Sequence, residues 1–128
     1  MRDEIKKWEN LLDELLSKKS EIISNIAKNK QIQDEGVYAI SKPKKIEEIV
    51  YVGKTRTLTI QRRMHDHLSH KHGDTDSDLA NMVIARSHLP QDYESYLVRY
   101  VVLKDPRDRM RFENFAISIL DPELNKTN

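Results

Sequence analysis

Residues 36–53 read GVYAISKPKKIEEIVYVG. Two short runs rich in β-branched and aromatic residues, Val37–Ile40 and Ile49–Val52, flank the charged, proline-containing stretch Ser41–Glu48. Side chains of this kind favour a pleated, half-buried surface. The spacing predicts an antiparallel hairpin with a long basic tip. Each run carries one tyrosine, Tyr38 and Tyr51, and the second closes on Gly53.

Outward from the hairpin, the hydrophobic period changes to that of a helix. Upstream, Ile5, Trp8, Leu12, Leu15, Ile22 and Ile26 keep a spacing of three to four, widened by Leu11, Leu16 and Ile23 and interrupted by Lys19. This predicts one amphipathic helix over residues 3–29, with Asp3 and Glu4 at the positive end of its dipole and Lys28 and Lys30 at the negative end. Its stripe is broad enough to pack on the chain's own core, and a homodimer or a partner protein are the other users of such a face. Downstream, Ile60, Met64 and Leu68 predict a helix over Leu58–His70 ended by Gly73, and Leu79, Met82, Val83 and Ile84 predict another from Asp76 to Arg86. Tyr96–Leu103 is the clearest strand, and Asp105-Pro106 caps a last helix that runs to about Leu120. The order implies an α+β fold: a small three-stranded sheet with surrounding helices, plus the N-terminal helix. Residues 1–35 form that helical segment, and residues 36–128 form the domain proper.

A length of 128 residues suits a single core. The absence of cysteine excludes disulfides and thiolate metal sites. No stretch approaches the roughly 20 apolar residues of a membrane span, and the charged start lacks a signal-peptide pattern. The expectation is a soluble, cytoplasmic protein. Net charge is only +1, but residues 36–73 hold eight Lys/Arg against three Asp/Glu, besides four histidines. Positive charge concentrated in one third of the chain suits an anion-binding surface.

Several side chains then stand out as chemistry. Strand tyrosines are commonly half-buried packing, and Gly53 is either a turn glycine or a point of close approach to a phosphate. Arg63 and His67, four apart, share a helix face that we read as rotated away from the Ile60/Met64/Leu68 stripe. An arginine fork beside an imidazole suits a phosphate. Glu113 lies on an apolar helix, where a carboxylate must reach solvent, a cation or a metal. His65, His67, His70 and His72 invite a zinc reading, with Asp74, Asp76 and Asp78 beyond Gly73. No cysteine assists, however, and a catalytic zinc needs three well-placed ligands.

Taken together, these residues resemble the GIY-YIG nucleases. Gly36-Val37-Tyr38, twelve residues, then Tyr51-Val52-Gly53 is similar to the family's paired signature, followed by Lys54-Thr55. Arg63 with His67 resembles the catalytic-helix pair. Glu113, with Pro122 nine and Asn125 twelve residues later, resembles the nuclease domain of the excision-repair protein UvrC. The resemblance covers residues 36–125 and implies an endonuclease that hydrolyses DNA phosphodiester bonds with one Mg²⁺ or Mn²⁺ ion. By that resemblance Tyr38 and Tyr51 activate the attacking water or order its surroundings, and Arg63 holds the scissile phosphate. His67 contacts the phosphate or passes a proton, Glu113 ligates the metal, and Asn125 fixes the site. Gly53, Lys54 and Arg62 are expected to bind substrate. The segment between Gly53 and Arg63 is a residue or two longer than usual, which leaves Arg62 a rival for the arginine. The alternative expectation is a catalytically silent nucleic-acid-binding or regulatory module of the same fold.

Overall fold

The structure is a computed structural model that describes residues 2–69 and 78–126. It is a mixed α+β fold. Helix α1 spans Arg2–Ser17, and strand β1, only Glu21–Ile22, leads into α2 at Ile23–Lys28. Strands β2 (Gly36–Lys42) and β3 (Lys45–Lys54) follow, then α3 (Ile60–Leu68), α4 (Leu79–Ile84), β4 (Leu97–Val102) and α5 (Pro106–Leu120). A 3-10 turn, Glu123–Asn125, closes the described chain. The strands form one antiparallel sheet in the order β1-β4-β2-β3.

Three strands match the sequence reading, and the sheet gains a fourth because the N-terminal helix is not continuous. It stops at Ser17, Ile22 is extended (φ −64°, ψ 134°), and Glu21 and Ile22 pair with Val98 and Leu97. The helical spacing persists across this break, but its two halves serve opposite faces of the sheet. Trp8, Leu12 and Leu15 of α1 pack with Val37, Ala39, Val52, Val101 and Phe112. Ile23, Ile26 and Ala27 of α2 pack with Tyr38, Ile40, Ile60 and Met64. The alternation of β2 between the two clusters follows the period of two that any strand imposes. One straight helix cannot reach both faces, so the chain rounds the sheet edge at β1. The apolar stripe of α1 is thereby buried in its own fold from Trp8 to Leu15, with Ile5 left exposed.

The hairpin is also tighter than expected. Lys42 pairs with Lys45, so the turn is Pro43-Lys44 alone, and Ser41–Glu48 supplies strand rather than loop. Lys44 has φ 63°, the left-handed region, a position that normally favours glycine or asparagine. A register shift at Ile40/Ser41 and Ser41/Lys42 absorbs the extra length of β3.

Two buried arginines tie the layers together. Arg99 donates to the Leu16 carbonyl (2.7 Å), at the C-terminal end of α1, and to the Ile46 carbonyl (3.1 Å). Arg109 of α5, 3% exposed, donates to the carbonyls of Leu103 (2.8 Å), Lys104 (2.9 Å) and Arg56 (3.2 Å) and pairs with Glu35. The cap of α5 is as read: the Asp105 side chain accepts from the Arg107 amide, with Pro106 in the first turn. No helix among the described residues is long and apolar enough to cross a membrane.

Candidate active site

Tyr38 on β2 pairs with Gly53 on β3, and Tyr51 lies two residues before that glycine, so both rings share the face covered by α3. A Cβ on Gly53 would stand 2.5 Å from the Tyr38 hydroxyl and 2.8 Å from the Tyr51 ring. Glycine is required here because two phenol rings occupy the space a side chain would need. The close approach anticipated at Gly53 is thus to these rings.

The third ring is His67. Thr59 caps α3 by accepting from the Arg62 amide, which sets the helix phase. Ile60, Met64 and His67, at spacings of four and three, then form the buried face. His67 is therefore part of the core stripe rather than rotated away from it, and its exposure is 0%. It stands edge-on to both tyrosines, 5.6 Å from the Tyr38 ring centre and 5.5 Å from that of Tyr51.

The hydrogen bonds fix its tautomer. The Leu79 amide at the start of α4 donates to Nδ1 at 3.0 Å, so Nδ1 carries the lone pair. Burial, reinforced by the positive charge of Arg63, holds the imidazole pKa well below its ordinary value, so the ring is neutral. Its one proton then sits on Nε2, which donates to the Tyr38 hydroxyl at 2.7 Å. Tyr38 is an acceptor in that bond, and its own O–H must point elsewhere. Burial, and then the proximity of Tyr51, raise the Tyr38 pKa, while Arg63 pulls the other way. Tyr51 is raised by burial too, again opposed first by Arg63. Both phenols are accordingly neutral at pH 7, and Arg63 is the group that makes either easier to ionise.

The two tyrosines differ in access. Tyr38 is 0% exposed, behind its neighbours, whereas Tyr51 lines a pocket of about 330 Å³ with Lys54, Arg56, Thr57, Leu58, Arg63 and Glu113. This pocket sits where the chain leaves β3. It gathers Tyr51 and Arg63 from one face of the sheet and Lys54 and Glu113 from the other. Arg63 pairs with the buried Asp78 at 3.9 Å, and Lys54 pairs with Glu113 at 3.5 Å. Burial raises the Glu113 pKa, and Lys54, Arg56 and Arg63 counter it.

The remaining predicted residues lie off the pocket wall. Arg62 is exposed and pairs with Asp66 at 3.3 Å, one helical turn on, so the geometry favours Arg63 over its rival. Asn125 joins β3 rather than the pocket: its amide donates to the Val52 carbonyl and accepts from the Val52 N–H, both at 2.8 Å. It thereby braces the strand between Tyr51 and Gly53. Arg56 and Thr57 were not singled out from sequence, where they look like an ordinary polar connection, and Leu58, read as the first residue of a helix, lies before α3, which starts at Ile60. The only hint was the extra length of that segment.

Glu113 is the one carboxylate among the lining residues, and among the described residues no group of three or more His, Asp or Glu could hold a metal. His70, His72, Asp74 and Asp76 of the zinc reading lie outside the described residues. A hydrated magnesium-like ion takes as few as one or two protein carboxylates and keeps its waters. The donor chemistry of Glu113 fits such an ion, with the Lys54 ammonium as a competitor for the same carboxylate. Comparison with protein-family models, with curated proteins and with solved structures finds no match.

Proposed function

We propose that this chain is a GIY-YIG-type endonuclease that hydrolyses DNA phosphodiester bonds in the pocket at the end of β3. One observation carries the reading. A phenol, a guanidinium and a carboxylate from β3, α3 and α5 line a single pocket, in the combination that the sequence resemblance implies. The antiparallel core β2-β3-β4 with helices on both faces supports the same fold assignment.

Phosphodiester hydrolysis needs a positioned water, a proton acceptor and positive charge around the five-coordinate phosphorus. Arg63 offers its fork to the non-bridging oxygens, and Lys54 adds a second cation. Tyr51, which lines the pocket, takes the water's proton as its phenolate; burial keeps the phenol protonated in the free protein, and Arg63 and Arg56 are the charges that favour the ionised form. Tyr38 and His67 sit behind it as a buried pair that fixes the ring and hydroxyl positions. Glu113 would hold one Mg²⁺ or Mn²⁺ ion, which when bound supplies Lewis acidity and leaving-group stabilisation. The Lys54–Glu113 ion pair is the one feature that favours the second reading, a DNA-binding module without turnover, since it ties up the metal carboxylate.

The test is incubation of supercoiled, nicked and branched DNA with the parent and with Glu113→Gln, with and without Mg²⁺ or Mn²⁺. The expected result is metal-dependent cutting by the parent and at least a hundredfold loss in the variant. Binding without cutting under every condition would establish the silent module instead.

A further inference from the structure

Of the pocket's three cations, Lys54 pairs with Glu113 and Arg63 with Asp78, whereas Arg56 has no ion pair among the described residues. Its side chain is exposed, yet its main chain is held from behind. The Thr55 amide donates to the Gly36 carbonyl at 2.9 Å, and the Gly36 amide donates to Thr55 Oγ1 at 3.0 Å. Arg109, itself among the most buried polar residues of the fold, donates to the Arg56 carbonyl. Three anchors on two consecutive residues give the guanidinium a rigid base and a solvent-facing fork. Such a base lowers the ordering cost of holding a ligand. Leu58, 40% exposed, places an apolar surface on the same lip.

A mobile surface arginine would need no such anchoring, and one serving the fold would have a carboxylate or carbonyl partner. A guanidinium on an anchored main chain, with no ion pair among the described residues and within the field of Glu113, suits a second anion at a fixed offset from the one directed to Arg63. We propose that the loop Thr55–Leu58 is a second phosphate site, in which Arg56 binds a phosphate next to the one held by Arg63 on the same DNA strand. The inference rests on the nuclease reading and deepens it: the pocket takes a polynucleotide strand, with Leu58 against the sugar between the two phosphates. The longer connection between Gly53 and Arg63 is then the element that reaches along the strand.

Binding, rather than cutting, tests the site, so its failure is separable from failure of the nuclease reading. Short end-labelled DNA strands carrying one neutral methylphosphonate, moved a position at a time, are titrated against the parent, Arg56→Ala and Arg56→Lys by fluorescence anisotropy. At one position the parent is expected to lose about tenfold in affinity, as for a charged hydrogen bond, and Arg56→Ala to lose nothing further there. The slope of log affinity against log salt should fall by about 1 in Arg56→Ala and stay unchanged in Arg56→Lys. Independent, additive losses from the variant and the methylphosphonate at every position would overturn the site. An unchanged salt slope in Arg56→Ala would do the same. A parent that binds DNA with this pattern but never cuts it leaves the site standing and removes the nuclease.

Discussion

Replacing His67 with glutamine should remove a measurable part of the pH dependence of stability, the part that the buried imidazole contributes. In the native chain the ring is wholly buried, accepts from the Leu79 amide, and is held well below its ordinary pKa by burial and by Arg63. In the unfolded chain it titrates near 6.5. Below that pH the unfolded state takes up a proton that the native state refuses, so stability falls as pH falls. While the native ring stays neutral, the loss steepens below pH 6.5 toward a limit of about 1.4 kcal/mol per pH unit, and the descent from pH 7.5 to 5.5 removes about 1.4 kcal/mol in all. Glutamine offers an amide oxygen to Leu79 and an amide N–H to Tyr38, and it does not titrate. Carboxylates contribute equally to both proteins, so the difference between them isolates the histidine. Urea midpoints with matched slopes at pH 7.5 and 5.5 give the comparison. The parent should lose about 1.4 kcal/mol more than His67→Gln. Parallel losses would refute the neutral, buried tautomer and with it the direction of the hydrogen bond to Tyr38.

Other outcomes follow from the same geometry. Tyr51→Phe should slow DNA cleavage by roughly 10²–10⁴ with little change in the urea midpoint. Tyr38→Phe instead strands the His67 Nε2–H and should cost about 1–3 kcal/mol of stability. Equal cleavage by Tyr51→Phe and the parent would remove Tyr51 as the proton acceptor. Gly53→Ala forces both phenol rings to shift and should destabilise by about 1–3 kcal/mol, seen as a lowered thermal midpoint. Arg109→Ala removes three hydrogen bonds from a buried side chain to main-chain carbonyls and should cost about 2–3 kcal/mol in a urea titration. Lys44→Gly should raise stability by about 1 kcal/mol by relieving the left-handed conformation, and a lowered midpoint would show that Lys44 makes a compensating contact.

The sequence was legible where local chemistry and tertiary packing agree. The runs around Tyr38, Tyr51 and Val98 are nearly continuous in apolar and aromatic residues because these strands have a core on both faces. Asp105-Pro106 marks the start of α5 because cap and proline act within one turn. It was illegible where the deciding partner is remote. The stripe from Leu15 to Ile26 keeps helical spacing through the break at Ser17, and only the two sheet faces separate its halves. Pro43-Lys44 lacks the glycine or asparagine that announces a tight turn. His67 falls at the third position of the series Ile60, Met64, His67, a spacing available from sequence but masked by the assumption that an imidazole beside an arginine faces water. Arg99 and Arg109 were not singled out, although Arg109 shares a stripe with Phe112 and Ala116. The pocket residues Tyr51, Lys54, Arg63 and Glu113 were each named from sequence. Arg56 was not, since an anchored loop arginine looks like any other until its carbonyl is seen to be held.

Asn125 has a consequence for assembly. β3 is an outer strand of the sheet, and an outer strand offers its free N–H and C=O groups to any other chain that can extend beside it. The outward-facing pair at Val52 is taken by one side-chain amide, which presents a donor and an acceptor at the spacing a peptide group would. Asn125 is in effect a strand one residue long, and it ends the ladder where a neighbour would otherwise continue it. A chain approaching this edge meets the rung at Val52, near the end of the strand, already filled beside the tyrosine that lines the pocket. The contact that braces β3 beside Tyr51 also withdraws this rung from what the edge can offer a second molecule.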